Sequence, residues 1–402
     1  MTKIPKERLE KYLNLQREFK EERYINLHPI QRGGVLTDAA RKALLEFGDG
    51  YSTCDWCPPK AARLDAIERP PIAQFMQDLA EFLCMDVARV VTRCREAQFI
   101  AFATLGEPGD YVVVDGLAHY STYIAAELAR LKVKEVPHSG HPEFKLDLDA
   151  YADKIEEVKR ETGKLPAAVL LTHVDYLYGN LNDAAVVGKI CKKYEIPFIL
   201  NAAYTGGVMP IDGKKLDVDI LVSSGHKSWA ASAPTGILAL KEELVNQVLA
   251  RSKMVGDWSE RKFGLKEYAL LGCTVMGGPL ISLMASFPHV VDRVEHWGEE
   301  VEKARYLIEQ LERIEGTRQL GVKPKQHTLT HMESEGLYKA SQAHKRRGFF
   351  LYDELKRRGI VGIQAGLTKH FKLNTYGLTK AKVERVAKAF LEIAKDQGLA
   401  IG

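Results

Sequence analysis

The sequence predicts an α/β fold, with a large domain built on a mostly parallel sheet and a smaller C-terminal α+β domain. From about residue 71, short apolar strands alternate with amphipathic helices, which is typical of parallel sheets covered by helices. Polar side chains follow several of these strands directly, as they do at ligand sites of such sheets. Strand-like runs become rare after about residue 279. We therefore expect an N-terminal helix and arm over residues 1–70, a large domain over 71–284 and a small domain over 285–402.

The elements of the large domain follow from the spacing of apolar residues and from the turn residues between them. In chain order the predicted elements are a helix over 71–85, a strand over 111–115, a helix over 121–131, strands over 133–137 and 167–172, a helix over 183–194, and strands over 196–201, 219–224 and 236–240.

The C-terminal part has longer helical patterns. A long helix is predicted over 290–314, a second helix over 349–358, strands over 361–365 and 371–376, and a closing helix over 380–397 with an apolar face.

Composition places the chain among ordinary globular proteins. It has 402 residues, of which 46% are hydrophobic and 27% charged, which excludes a disordered or fibrous protein. Its apolar runs are too short to span a bilayer, and the charged first residues lack the apolar region of a secretory signal. We therefore expect a soluble, cytoplasmic protein without membrane association.

Charge is distributed unevenly. The net charge is +4, whereas residues 341–402 carry thirteen Lys and Arg against five Asp and Glu, a local excess of +8. A basic segment of this kind attracts polyanions such as RNA, although a solvated face on a pair of surface helices explains it equally simply.

The clearest chemical motif surrounds Lys227. A strand leads into Ser224, Gly225, His226 and Lys227, and small residues follow. A partly desolvated lysine at a strand end suits imine formation, and small neighbours leave room for a flat cofactor. The alternative is a surface lysine in a turn.

A second motif ends the buried strand 196–201 with Asn201. Many pyridoxal phosphate enzymes have an aspartate here that pairs with the protonated pyridine nitrogen. An amide can hydrogen-bond that nitrogen but supplies no charge, so the cofactor would be a weaker electron sink. An ordinary turn asparagine is the alternative.

Three weaker motifs also follow predicted strands. Arg95 and Glu96 lie at a helix start, where free N–H groups can bind an anion. His119 and Tyr120 follow the strand 111–115, where an imidazole can stack on a planar ring. Residues 172–180 add further polar groups. Each motif has a structural explanation, but all of them fall at the carboxyl ends of strands, where ligands gather.

The six cysteines are expected to be reduced in a cytoplasmic chain. Cys84 and Cys191 fall on apolar helical faces and are predicted to be core residues. Cys54 and Cys57 form a CxxC pair in a loop, which supplies only two ligands or one redox pair.

Taken together, the motifs resemble the type I fold pyridoxal phosphate enzymes of the cysteine desulfurase-like branch. Within that branch the chain is similar to the archaeal-type O-phosphoseryl-tRNA:Cys-tRNA synthase family. The resemblance covers nearly the whole chain and is carried by residues 26–34, 47–51 with Cys54 and Cys57, 95–96, 224–227 and 271–274.

The resemblance implies roles for individual residues. Lys227 would hold pyridoxal phosphate as an imine, or Schiff base. His119 would stack on the cofactor ring, and Asn201 would face the ring nitrogen. Arg95, Glu96, Ser224, Gly225 and His226 would lie near the cofactor phosphate. Cys54, Cys57 and Cys273 match three functional cysteines, which would share a persulfide or hold an iron–sulfur cluster. Cys94 departs from the family pattern, because a small residue is commoner there.

The resemblance also implies a reaction, the conversion of O-phosphoseryl-tRNA(Cys) to cysteinyl-tRNA(Cys) with a sulfur donor. Phosphate would leave by β-elimination, steadied by Arg95, His119 and Tyr120, and sulfur would add to the β-carbon. The region that holds a carboxylate-binding arginine in related enzymes has Lys372 instead, which fits an esterified substrate. A desulfurase or lyase acting on a free amino acid is the alternative. We expect a homodimer, with a phosphoseryl-tRNA synthetase as a further partner.

Overall fold

A seven-stranded sheet forms the centre of the large domain. The computed structural model describes residues 10, 12–13, 15–20, 22–49, 67–264, 267–270 and 277–402. The sheet has the strand order β2-β8-β7-β6-β5-β3-β4, and only β8 runs antiparallel to its neighbours. Its strands are β2 (Val87–Val91), β3 (Tyr111–Asp115), β4 (Lys132–Val136), β5 (Ala168–Thr172), β6 (Phe198–Asn201), β7 (Ile220–Ser224) and β8 (Gly236–Leu240).

Helices cover both faces of this sheet, as its apolar strands require. The strands β5, β6, β7 and β8 are buried along their whole length, so each of their faces must be covered. The helices of this part are α1 (Asp38–Glu46), α2 (Ile72–Phe82), α3 (Cys94–Leu105), α4 (Tyr120–Leu128), α5 (Ala150–Thr162), α6 (Ala184–Tyr194), α7 (Gly225–Ser228) and α8 (Glu242–Val248). The fold class predicted from the sequence is therefore confirmed.

The C-terminal part combines helices with a three-stranded antiparallel sheet in the order β12-β10-β9. Its elements are α9 (Gly277–Val294), α10 (Trp297–Glu312), β9 (Thr317–Leu320), β10 (Leu329–Ser334), α11 (Glu335–Ala343), α12 (Phe350–Arg357), β11 (Ile360–Val361), β12 (His370–Asn374) and α13 (Lys380–Asp396). The short strand β1 (Ile25–Asn26), near the start of the chain, pairs in parallel with β11.

The prediction of one long helix over 290–314 is wrong, because the structure has two helices in this region. Helix α9 ends at Val294 and α10 begins at Trp297. Leu280 and Leu283 of α9 pack into the core beneath the large sheet, whereas Leu307 and Leu311 of α10 pack into the core of the C-terminal part. Because the two apolar faces serve different cores, the chain has to turn between them.

The strand predicted over 361–365 is shorter than expected. It ends at Val361, since Gly362 takes a positive φ of 101° and lies so close to the backbone nitrogen of His28 that no side chain would fit. Strands β9 and β10 escaped prediction because polar residues such as Arg318 and Glu333 interrupt their apolar pattern. The proposed domain boundaries stay predictions.

Candidate active site

Lys227 lies in the short helix α7, directly after β7. Its Nζ is 4.6 Å from the centroid of the Tyr204 ring. Burial lowers the pKa of this amine from its usual value. Within the described ranges no carboxylate lies in ion-pair distance of Nζ. The surroundings of Lys227 therefore favour the neutral amine, which is the form that a nucleophilic lysine needs.

The backbone of this lysine turn is in close contact with a glycine turn. A 3-10 turn over Arg32–Gly34 packs against α7 so closely that a Cβ at Gly34 would overlap the carbonyl of His226. A Cβ at Gly33 would overlap the carbonyl of Lys227. The two glycines therefore allow the N-terminal segment to reach the lysine turn.

Arg293 of α9 ties these segments together. Its Nε donates to the carbonyl of Gly207 at 2.9 Å, and its Nη2 donates to the carbonyls of Gly33 at 3.2 Å and Ser228 at 2.5 Å. The guanidinium thus links the glycine turn to Ser228, the residue that follows Lys227, and to Gly207. The sequence analysis did not single out Arg293, because a lone arginine on an amphipathic helix gives no local signal.

Asn201 ends β6 and is 4% exposed. Its Oδ1 accepts a hydrogen bond from the backbone N–H of Ala203 at 3.2 Å. Register places Asn201 opposite Thr172 on one side and Val222 on the other, so it lies at the carboxyl edge of the sheet with Ser224. This edge was predicted as the position of the site.

The residues predicted around a cofactor phosphate form two separate sets of contacts. The Glu96 carboxylate accepts from the backbone N–H of Thr92 at 2.6 Å and from the Thr92 hydroxyl, so it closes the turn between β2 and α3. Arg95 instead points outward and donates to the Tyr120 hydroxyl at 3.1 Å. Arg95 and Tyr120 are therefore brought together, whereas Glu96 has a local structural contact.

His119 caps the N-terminus of α4. Its Nδ1 accepts from the backbone N–H of Ser121 at 3.3 Å, and its ring centroid is 4.7 Å from that of Tyr176. Burial, reinforced by the positive charges of Lys227 and Arg95, lowers the pKa of His119 to about 4. The imidazole is therefore neutral near pH 7.

The remaining predicted residues lie beside Lys227. The Ser224 Oγ is 3.4 Å from Nδ1 of His226, and burial lowers the pKa of that histidine. The backbone N–H of Gly225 donates to the carbonyl of Thr235 at 2.9 Å. A Cβ at Gly225 would lie 2.6 Å from that of Thr235, so this turn accepts no larger residue.

A cavity of about 700 Å³ opens above the lysine. Lys227, Tyr204, His119 and Tyr176 line it from the large domain, and His331 and Lys372 line it from the C-terminal part. The Nζ of Lys372 is 3.4 Å from the carbonyl of Tyr176. Sequence reasoning missed Tyr176 and Tyr204 as site residues, although both fall within the polar stretches that follow β5 and β6.

The cysteines predicted to deliver sulfur, Cys54, Cys57 and Cys273, lie outside the described residues. In the described part of the chain no cluster of His, Cys, Asp or Glu is arranged to hold a metal ion. Nor is any helix in that part long and apolar enough to cross a membrane.

The described residues fit pyridoxal phosphate. Lys227 lines the cavity with an amine whose pKa is lowered by burial, and its Nζ lies over the Tyr204 ring. Asn201 Nδ2 has no hydrogen-bond partner among the described residues. Its N–H group is therefore available to donate a hydrogen bond to the ring nitrogen of the cofactor. Lys227, Asn201, His119, Ser224 and His226 are the residues that could hold the group.

Comparison with known proteins supports this interpretation. The family model of O-phosphoseryl-tRNA(Sec) selenium transferase matches residues 98–400. The O-phospho-L-seryl-tRNA:Cys-tRNA synthase of Methanopyrus kandleri is 53% identical over 393 residues, which cover 98% of this chain and 99% of that protein.

Solved structures agree. A crystal structure of a SepCysS–SepCysE N-terminal domain complex contains a chain 48% identical to this one, with a TM-score of 0.88 over 97% of this chain and 99% of that chain. The apo cysteine desulfurase of Thermococcus onnurineus NA1 is 18% identical, covers 95% of this chain and 99% of its own, and shares the fold with a TM-score of 0.69. The fold is that of the type I pyridoxal phosphate-dependent transferases.

Because the family model spans most of the chain and a relative shares about half of its residues over nearly the full length of both, this chain belongs to the O-phosphoseryl-tRNA(Sec) selenium transferase family, among its O-phospho-L-seryl-tRNA:Cys-tRNA synthases.

Proposed function

We propose that this chain is a pyridoxal phosphate-dependent sulfur transferase that converts O-phosphoseryl-tRNA(Cys) to cysteinyl-tRNA(Cys). The observation that carries the proposal is the buried Lys227 amine at the floor of a cavity, in a chain that shares 53% of its residues with a named synthase. When bound, the cofactor would supply electron withdrawal at the substrate Cα, so that a proton can leave and a β-substituent can depart.

Lys227 is the proposed proton acceptor at Cα. Its lowered pKa keeps a larger fraction of the amine neutral at pH 7 than an exposed lysine would have, and only the neutral amine can take a proton. The same amine can return the proton to Cα after sulfur has added.

Arg95, His119 and Tyr120 are the proposed holders of the departing phosphate. Arg95 and Tyr120 already hydrogen-bond each other, so their guanidinium and hydroxyl can donate to one anion together. His119 is neutral because its pKa is lowered to about 4, and it is therefore a hydrogen-bond partner rather than a charge. Phosphate leaves with the electrons of the Cβ–O bond, and a nucleophilic sulfur then supplies the electron pair of the new Cβ–S bond. Where that sulfur is the outer atom of a persulfide, a second cysteine thiolate attacks the inner sulfur, so that the S–S bond breaks, a disulfide forms and the product thiolate is released.

Lys372 supports an esterified substrate. It lines the cavity from β12, and its Nζ contacts the carbonyl of Tyr176. A lysine lacks the planar guanidinium with which an arginine binds both oxygens of a carboxylate. A substrate joined to tRNA through its carboxyl group has no free carboxylate for such a guanidinium to bind.

A basic loop next to the cavity mouth is the proposed contact for the tRNA backbone. Lys345 and Arg347 are exposed and form no ion pair with any described carboxylate. The loop is fixed to the rim, because Thr368 Oγ1 donates to the carbonyl of Gly348 at 2.9 Å and the neighbouring Leu367 lines the cavity. Exposed cations held near the mouth suit backbone phosphates.

Cys54, Cys57 and Cys273 are proposed to deliver sulfur, through a persulfide or on an iron–sulfur cluster.

We further propose a homodimer, in which exposed apolar residues such as Trp258 and Met254 would be covered. The SepCysE N-terminal domain, with which a solved relative forms a complex, and a phosphoseryl-tRNA synthetase are proposed protein partners. A cytoplasmic location is also proposed, and it is supported by a charged tRNA as the proposed substrate.

The test is a visible absorption spectrum of anaerobically purified protein, before and after addition of O-phosphoseryl-tRNA(Cys). We expect a band from the lysine-bound cofactor that shifts with the tRNA ester but not with free phosphoserine or cysteine. The Lys227→Ala variant should lack the band. A shift with free cysteine would instead support a desulfurase, and a Lys227→Ala variant with normal turnover would refute the mechanism.

A further inference from the structure

Cys94 occupies an unusual position for a thiol. It begins α3 and is 9% exposed, and its Sγ lies 3.6 Å from Oδ1 of Asn201. Burial raises the pKa of the thiol to about 11, so it keeps its hydrogen near pH 7 and can donate it. A thiol hydrogen directed at an amide oxygen is a weak but oriented contact.

The orientation of the Asn201 amide follows from its neighbours. The backbone N–H of Ala203 needs an acceptor and finds Oδ1 at 3.2 Å, whereas a reversed amide would set one N–H against another. The thiol provides the second donor to the same oxygen. Both acceptor positions of Oδ1 are then filled, while Nδ2 has no partner in the part of the chain that the structure describes.

Gln98 determines where the thiol hydrogen points. It lies one helical turn after Cys94, is 1% exposed, and its Nε2 donates to Sγ at 3.5 Å. Since the sulfur already accepts from Gln98, its own hydrogen is directed away, toward Asn201. The three side chains form a relay of hydrogen bonds, from Gln98 to Cys94 to Asn201.

We propose that Cys94 is a positioning residue, whose thiol holds the Asn201 amide with Nδ2 toward the ring nitrogen of the cofactor. The inference rests on the proposed function, because it assumes that pyridoxal phosphate occupies the site. A ring nitrogen that accepts a hydrogen bond from an N–H group carries no proton, so the cofactor would be a weak electron sink. Because phosphate is a good leaving group, its elimination does not require a stronger electron sink.

The experiment compares Cys94→Ala, Cys94→Ser and the matched control Cys191→Ala, each as full-length protein. Cys191 is also buried, on α6, but contacts none of the proposed cofactor residues. The readouts are the dissociation constant of pyridoxal phosphate and the ¹⁵N resonance of its labelled ring nitrogen. The loss of one hydrogen bond predicts that Cys94→Ala weakens cofactor binding by about 2- to 10-fold and shifts the resonance.

Cys94→Ser keeps a donor and should restore both readouts, whereas Cys191→Ala should change neither. Cys94→Ala with wild-type affinity and resonance would show that the thiol only fills space and would overturn the proposal. A protonated ring nitrogen in the wild-type protein would overturn the assigned direction of the amide. Wild-type protein that binds no pyridoxal phosphate would contradict the proposed function instead, and melting temperatures of all variants identify any loss of folding.

Discussion

The two ends of the site are held in different ways. At the lysine end, glycines and one guanidinium pack against backbone carbonyls, and Gly225 and Ser228 beside Lys227 are buried. At the Arg95 end, two side chains meet near the surface, and Tyr120 is 57% exposed. The first arrangement leaves no space for an added atom, whereas the second can lose a group without disturbing the fold. Changes at the lysine end should therefore cost stability and cofactor, and changes at the Arg95 end should cost only substrate.

The largest effect is expected for Gly34→Ala. Its Cβ would overlap the backbone carbonyl of His226, which cannot rotate away as a side chain could. We expect the free energy of unfolding to fall by about 3 kcal/mol or more, at the upper end for overpacked cores because the overlap is with backbone, with a matching loss of bound cofactor. Denaturant titration and the visible band measure these. Gly298→Ala, where a Cβ meets no atom within 4 Å, is the control and should be neutral or stabilising. A fully stable, fully loaded Gly34→Ala protein would contradict the comparison.

Arg293→Lys is expected to have the second-largest effect on stability. The lysine keeps the charge but cannot reach the carbonyls of Gly207, Gly33 and Ser228 together. Each lost hydrogen bond to a charged donor is worth about 1.5–3 kcal/mol, so we expect a decrease of that order in the free energy of unfolding. Arg160→Lys, on the exposed end of α5, should leave it unchanged. Equal unfolding midpoints for the two variants would show that the guanidinium links add nothing.

At the Arg95 end, Arg95→Lys and Tyr120→Phe should lower kcat/KM for O-phosphoseryl-tRNA without lowering the melting temperature. The loss of one donor to a developing anion typically costs about 10²–10³ in rate, and Arg95→Lys should be the more severe because the planar fork is lost. Single-turnover kinetics with intact cofactor absorbance measures this. A fall in melting temperature similar to that of Gly34→Ala would remove the distinction between the two ends.

The smallest effect is expected at the cavity mouth. The double variant Lys345→Ala/Arg347→Ala should raise KM for the tRNA ester a few-fold and reduce the slope of log affinity against log salt by about 1–2. Lys159→Ala/Arg160→Ala removes two exposed cations at the opposite edge of the sheet, where strands begin, and is the matched control. Equal salt slopes for both variants would place the tRNA elsewhere.

Sequence reasoning was most reliable where local pattern decides the structure. The buried strands β3 and β8 were predicted with their observed bounds, since a continuous apolar run between turns has few alternatives. His119, Asn201 and Lys227 lie at the ends of β3, β6 and β7, as the sequence pattern of polar residues after apolar strands predicted, while their roles toward a ligand stay predictions.

The rest depends on contacts that no local pattern encodes. Arg293 is far in sequence from the carbonyls that it binds, and Tyr204 is recognisable only once its ring lies beneath Lys227. The break between α9 and α10 arises because two cores compete for one amphipathic stretch. Glu96 was predicted near a phosphate, a role that stays a prediction, while its carboxylate closes a turn with Thr92.

The pairing of β1 with β11 has a consequence for the synthesis of the protein. Ile25 leaves the ribosome more than three hundred residues before its partner Ile360. The turn Arg32–Gly34 follows β1 directly, and Arg32 Nε donates to the carbonyl of Tyr376 at 2.9 Å. Contacts of such long range form late, after the chain between them has emerged. The nascent large domain can thus fold around its sheet before β1 pairs with β11 and before Arg32 reaches Tyr376, so the segment that carries the glycine turn is fixed only after the C-terminal part has emerged.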